Sequence, residues 1–237
     1  MQNLNTYNNF YFVGIGGIGM SALARYFHAA GKNVLGYDKT ETKLTTELQN
    51  EGISISFEDV VDEKFSELNK ENTLVIYTPA IKVLGILDYF NQNGFEVLKR
   101  AKVLGLITEN TECISVAGTH GKTTTSSLVA HLCKVANLPF SGFLGGIAEN
   151  YKSNFIYNGT EISVLEADEY DRSFLNLSPD WAIVTSIDAD HLDIYGDTET
   201  IEQGFRDFAD LVPENDHLFV RKGVKIGRPC KTYAVNE

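Results

Sequence analysis

The chain has 237 residues, of which 43% are hydrophobic and 22% charged, enough to bury one large core or two smaller ones. Its formal net charge of −12 lacks the basic balance of a nucleic-acid-binding protein. On such an acidic surface, any anionic ligand has to be gripped by local features rather than by the overall field.

Cysteines occur at 113, 133 and 230 with no CxxC pair. The odd number and wide spacing point to neither a zinc site nor a disulfide framework, and reduced, mostly buried thiols in a cytoplasm fit best. The opening MQNLNTYNNFYFVGIGG has no basic start and no long apolar run, so no signal peptide is expected. No stretch approaches the roughly 18 apolar residues of a membrane span.

Short β-branched runs alternate with helical stretches. Phe10–Gly14 reads as a buried strand, and Ile18–Ala30 as a helix stopped by Gly31. Strands follow at Asn33–Tyr37, Ile53–Phe57 and Thr73–Tyr77, with helices over Thr40–Glu51 and Ile86–Asn93. Glu96–Leu98 is a short strand, and Lys99–Thr108 a connecting helix. The apolar pattern then resets near Ile107–Asn110, where a domain boundary is expected. Cys113–Ala117 opens a second cycle with a helix over Lys122–Ala136 and later strands at Ile162–Glu166 and Trp181–Ser186. This alternation implies α/β architecture, with parallel sheets flanked by helices. With about three convincing strands, the second unit reads as cut short.

Gly14-Ile15-Gly16-Gly17-Ile18-Gly19 is a GxGxxG run between a strand and a helix. Glycines let the backbone turn tightly and approach a pyrophosphate, and the N–H groups at the helix start favour negative charge. Asp38, ending the next strand, is placed to bind a ribose hydroxyl; a solvated strand-end carboxylate or a helix cap explains it nearly as well. The motif alone fits a dinucleotide-binding, Rossmann-like domain, or a tight turn with no ligand.

Gly118-Thr119-His120-Gly121-Lys122-Thr123-Thr124 is a second glycine loop between a strand and a helix. It ends in GKT but is only GxxGKT, because Val116 and Ala117 stand where the longer phosphate-loop pattern begins. Its amides and Lys122 would cradle the β- and γ-phosphates of ATP, with the Thr123 hydroxyl reaching Mg²⁺. A dehydrogenase needs only the first loop and a nucleotidase only the second. Together they suggest an enzyme that holds a nucleotide-linked substrate and ATP at once.

Carboxylates crowd two later strand ends, at Glu166-Ala167-Asp168-Glu169-Tyr170-Asp171 and Asp188-Ala189-Asp190-His191-Leu192-Asp193. Ligands of open α/β sheets sit at such ends. Glu166 and His191, close to theirs, are the candidates for metal or phosphate work. Asp171, Asp188 and Asp193 read as solvated or capping groups, and His28, His131 and His217 as ordinary residues. His120 lies inside the loop expected to meet ATP.

GTHGKTTT at 118–125, EADEYDRSFL at 166–175 and TSIDADHLDIYGD at 185–197 resemble the Mur ligases. VGIGGIGMSALA at 13–24 and the Thr78-Pro79-Ala80-Ile81 turn resemble the members that join L-alanine to UDP-N-acetylmuramic acid. The resemblance implies a Rossmann-like UDP-sugar-binding domain over residues 1–107. It implies an incomplete phosphate-loop ATPase domain over 108–237, with the third, amino-acid-binding domain absent. The Gly14–Gly19 loop would then hold the UDP diphosphate, together with Asp38 and Thr78–Ile81. Lys122 would contact the transferring phosphate. Thr123 and Glu166 would hold one Mg²⁺, and His191 would help to hold a second. Many members carry a carbamylated lysine after the histidine segment; here the neighbourhood reads Phe205-Arg206-Asp207. The chain by itself would bind the sugar nucleotide without completing the ligation. A murein-peptide-recycling ligase, a non-catalytic nucleotide-binding module and an NAD-dependent oxidoreductase remain as alternatives.

Overall fold

A computed structural model describes residues 3–61, 65, 67–81, 84–188 and 198–234. The chain divides into two compact units, Met1–Leu106 and Ile107–Glu237.

The first unit is a five-stranded parallel sheet in the order β3-β2-β1-β4-β5. Its strands are β1 (Asn9–Val13), β2 (Asn33–Tyr37), β3 (Ser54–Ser56), β4 (Thr73–Tyr77) and β5 (Glu96–Lys99). Helices α1 (Ile18–Ala29), α2 (Lys43–Asn50) and α3 (Gly85–Gln92) connect them, and α4 (Arg100–Thr108) leads onward. From β1 the chain winds outward to β3, then returns to β4 and winds the other way. Right-handed crossovers therefore place α1 and α2 on one face and α3 on the other. The reversal lies between β1 and β4, where open α/β sheets form their binding crevice.

Local chemistry sets these boundaries. The helix expected from Thr40 starts at Lys43, because Thr42 caps it: its hydroxyl accepts from Thr45 N–H while the Thr45 hydroxyl accepts from Thr42 N–H. Helix α3 is capped from a distance. Asp59 accepts from the backbone N–H groups of Gly85 and Ile86, each at 2.9 Å. Tyr11, Phe65 and Phe90 form the aromatic centre of one core, with ring centroids 4.9–5.2 Å apart.

The second unit is a seven-stranded sheet ordered β12-β11-β10-β6-β9-β7-β8. Its strands are β6 (Glu112–Ala117), β7 (Phe140–Ala148), β8 (Ser153–Tyr157), β9 (Ile162–Ala167), β10 (Trp181–Val184), β11 (Leu218–Arg221) and β12 (Lys231–Tyr233). Seven strands, rather than about three, correct the sequence expectation. The pairing is parallel except at the edge, where β8 runs antiparallel to β7. The missed β7 reads as loop because Gly142, Gly145 and Gly146 interrupt it. A β-carbon on Gly142 would lie 3.2 Å from that of Ala130 on α5 (Lys122–Val135). The glycines let a helix and a carboxylate approach the strand. Strands β8, β11 and β12 were not read from the sequence either.

Helix α6 (Thr198–Asp210) buries Phe205 and Phe208 against Phe174, whose ring stacks on Phe208 at 5.2 Å. Phe174 belongs to the 3-10 segment Tyr170–Asn176, so the backbone just past β9 is anchored in the core. Arg206 bonds Gln203 and Glu202 on its own helix. Cys113 and Cys133 are buried and all three thiols are free. Among the described residues, no helix is long and apolar enough to cross a membrane.

Candidate functional site

Each unit carries a glycine loop at the carboxyl end of its sheet. In the first, Gly14 adopts φ +87° directly after β1, and the Gly14 and Ile15 amides both donate to Tyr37 O. The Ile15 side chain is fully buried beneath β2, where a β-carbon at Gly36 would lie 2.7 Å from Ile15 Cδ1. Ile15 therefore shapes the loop from the core side. Gly16 N–H donates to Asp38 Oδ2 at 2.7 Å, and Thr40 N–H to Asp38 Oδ1 at 3.2 Å. Asp38 thus ties the loop to the end of β2 while lining the crevice.

Across the switch point, Thr78-Pro79-Ala80-Ile81 closes a turn through Ile81 N–H to Thr78 O at 3.0 Å. The Ile81 side chain packs over Gly14, leaving no room for a β-carbon there. The structure brings Gly14, Gly17, Asp38, Thr78, Ala80 and Ile81 around one cavity of about 380 Å³, which Tyr37, Lys39 and Leu84 also line. Ile18 and Gly19 begin α1, with Ile18 exposed to solvent. Burial and the nearby carboxylates of Asp59 and Asp38 push the Tyr37 phenol upward.

Sequence reasoning missed Arg100. Its Nη1 would lie 2.9 Å from a β-carbon at Gly19, so the guanidinium rests on the glycine surface of the first α1 turn. Nothing in the local sequence signals this, because the contact depends on where α4 starts after β5.

The second loop joins β6 to α5. Gly118 takes φ +139° and Gly121 φ +82°. The segment just past β10 pins the loop from the side. Thr119 N–H donates to Ser186 O at 3.1 Å and His120 N–H to Ser186 Oγ at 2.9 Å. The Thr119 hydroxyl bonds Ser186 Oγ at 2.8 Å and Asp188 Oδ2 at 3.2 Å. His120 is exposed, its Nε2 3.8 Å from Asp188. With these amides engaged, the donors offered to an anion include Gly121 N–H and those of the first turn of α5, at Lys122, Thr123 and the exposed Thr124. The first helical bond runs from Thr125 N–H to Gly121 O.

Glu166, near the end of β9, meets that turn. Its Oε2 accepts from Thr123 Oγ1 at 3.1 Å; its Oε1 accepts from Gly145 N–H at 2.6 Å and Ser126 Oγ at 3.2 Å. Thr123 and Glu166 therefore offer two converging oxygens, one of them charged, on a carboxylate whose other oxygen is held in place. That donor set suits Mg²⁺, which binds through few protein oxygens and completes its shell with phosphate and water. No group of three His, Cys, Asp or Glu capable of holding a metal occurs among the described residues. His191, Asp190 and Asp193 lie outside the described residues.

The sequence reading passed over Glu169. Only 2% exposed, it places both carboxylate oxygens 2.8 Å from Lys122 Nζ, which also donates to Gly118 O at 2.6 Å. The run of four carboxylates at 166–171 marks the place, but periodicity cannot say which of them turns inward.

Comparison with known proteins agrees with both halves of this description. The model described as "Mur ligase family, catalytic domain" matches residues 9–111, and that described as "Mur ligase middle domain" matches residues 116–235. UDP-N-acetylmuramate–L-alanine ligase of Flavobacterium johnsoniae is 52% identical over 238 residues, covering 100% of this chain and 52% of that protein. The same ligase of Flavobacterium psychrophilum is 55% identical over 226 residues, covering 95% and 50%. The chain spans about half the length of the curated relatives it matches. Among solved structures, UDP-N-acetylmuramate-alanine ligase from Thermotoga maritima superposes with a TM-score of 0.81 at 28% identity, covering 97% of this chain and 53% of that one. With both family models matched in order along two α/β units, this chain belongs to the Mur ligase family.

Proposed function

We propose that the chain forms the nucleotide-handling part of an enzyme that joins L-alanine to UDP-N-acetylmuramic acid with ATP, in cytoplasmic peptidoglycan precursor synthesis. The observation that carries this reading is the pair of unlike glycine loops. One, with no lysine within its own Gly14–Gly19 run, lies at a switch-point crevice. The other carries Lys122 and Thr123 beside Glu166. The relatives named for this ligation favour the same substrates.

In this reading the first cavity takes the UDP part of the sugar nucleotide. The first turn of α1 faces the diphosphate, and the Thr78–Ile81 turn closes one side. The second loop takes ATP. The substrate's lactyl carboxylate attacks the γ-phosphorus, the bond to the ADP oxygen breaks, and an acyl phosphate forms. The amine of L-alanine then attacks the acyl carbon, phosphate leaves, and the nitrogen loses a proton. Charge spreads over the transferring group's oxygens, so Lys122 and the α5 amides supply stabilisation where it develops. Bound at Thr123 and Glu166, Mg²⁺ would neutralise phosphate charge. His191 is proposed to contribute to a second cation site.

Calorimetric titration of the 237-residue chain tests the reading. Saturable binding of UDP-N-acetylmuramic acid and of Mg-ATP is expected, with no binding of NADH. Binding of NADH alone would make the first cavity a dinucleotide site and overturn the proposal.

A further inference from the structure

We propose that Glu169 is the positioning residue for Lys122, holding its ammonium inside the second glycine loop so that it meets the terminal phosphates already oriented. This rests on the ATP reading of that loop.

A lysine ammonium has three donors. Those of Lys122 are met by Gly118 O at 2.6 Å and by the Glu169 carboxylate oxygens, each at 2.8 Å. Two other acids of the run have different tasks: Glu166 is held by Gly145, Ser126 and Thr123, and Asp168 accepts from Tyr170 N–H at 3.0 Å. Glu169 is also built on fixed backbone. Its carbonyl accepts from Arg172 N–H at 2.9 Å, Asp168 O accepts from Phe174 N–H at 3.0 Å, and Phe174 is buried against Phe208.

The direction of the effect follows from burial. Glu169 is only 2% exposed and both of its carboxylate oxygens hold Lys122, so withdrawing the ammonium to a phosphate would break two charge-assisted bonds in a poorly solvated place. The ammonium has to reach the phosphate while still holding Glu169, which restricts a flexible four-carbon stem to one region of the loop. Removing the tether leaves the cation present but unplaced, and binding then has to order it. Glu169 therefore acts through Lys122 and touches no substrate itself.

The test is a Mg-ATP titration of the 237-residue chain and its variants, with melting temperatures recorded without nucleotide. Glu169→Gln is expected to weaken Mg-ATP binding about tenfold, and Glu169→Asp, which keeps the charge but shortens the reach, about threefold. Lys122→Ala should lower the melting temperature by removing two bonds to a buried carboxylate. Adding Glu169→Gln to that variant should restore part of the loss, as expected if the two side chains act as a pair, while the loss of Mg-ATP affinity in Glu169→Gln with an unchanged melting temperature separates positioning from a merely structural role. Wild-type affinity in Glu169→Gln, or a further fall in melting temperature in the double variant, overturns the assignment while leaving the ATP reading intact. If Glu169→Gln fails to fold, unchanged affinity in Glu169→Asp overturns it equally. Absence of Mg-ATP binding by the wild-type chain removes the ATP reading and this inference with it.

Discussion

The Gly16 amide and the Asp38 carboxylate are joined by a 2.7 Å hydrogen bond that fastens the first glycine loop to the end of β2. Asp38 is thus a structural clamp as well as a wall of the crevice. A backbone hydrogen bond to a charged group contributes about 1.5–3 kcal/mol. If the first cavity takes UDP-N-acetylmuramic acid as proposed, Asp38→Ala is therefore expected to weaken its binding by about tenfold or more. Calorimetry checks this, and unchanged affinity would mean that the loop keeps its shape without the clamp.

Gly118 is required twice over. Its φ is +139°, and a β-carbon there would overlap the Thr185 hydroxyl. Gly118→Ala should cost about 2–3 kcal/mol in denaturant unfolding. Adding Thr185→Ala should recover part of that by removing the overlap, but not the backbone term of about 1 kcal/mol or more. Full recovery would show that steric overlap, and not φ, sets the requirement.

Asp59 caps α3 from 26 and 27 residues away. Asp59→Ala should destabilise the first unit by about 1–2 kcal/mol, a usual loss for an N-terminal cap. Asp59→Asn keeps one acceptor and should cost roughly half as much. A thermal melt that does not distinguish the three proteins would refute the capping role.

Burial pushes the Cys113 thiol up to about 11 from 9.0, in spite of hydrogen bonds with Ser115 and Ser163 that pull it down. The folded protein thus holds this proton more tightly than the unfolded chain. Its contribution is fully present below pH 9 and is lost as the pH rises through about 11. Tyr37, Cys133 and Tyr233 are shifted the same way, chiefly by burial. Stability should therefore fall across this alkaline window, and Cys113→Ala should flatten the fall by an amount on the order of 2 kcal/mol. Urea unfolding at intervals from pH 8 to about 11 measures it.

The first unit was largely legible because β1, β2 and β4 are apolar runs, the first two closed by Gly14 and Asp38. The bounds read for β2 and β4, Asn33–Tyr37 and Thr73–Tyr77, are those observed. The second unit was less so. Strand β7 spends glycines on close approach, so its composition imitates a turn: a β-carbon at Gly146 would sit 3.2 Å from Thr123 Cγ2. Motif spacing singled out Lys122, Thr123 and Glu166 as candidates, and the structure brings Thr123 and Glu166 into contact beside Lys122. It could not locate Glu169 or Arg100, whose importance comes from which way a side chain turns after a strand end. Ile15 shows the converse: it lies within the motif, yet its side chain belongs to the core.

The segment just past β10 pins the second glycine loop, and that pinning has a consequence for how the protein is made. His120 N–H depends on Ser186 Oγ, which lies 66 residues further along the chain. During synthesis the loop leaves the ribosome long before its partner exists. Its final geometry waits until the chain has traversed β7, β8 and β9 and crossed over β6 to lay down β10. Pairings this distant in sequence are slow to form, because loop closure has to precede any gain from contact. The nascent chain should therefore gain the first unit's cavity early and the final shape of the second glycine loop late, in one step with the arrival of residues 185–188.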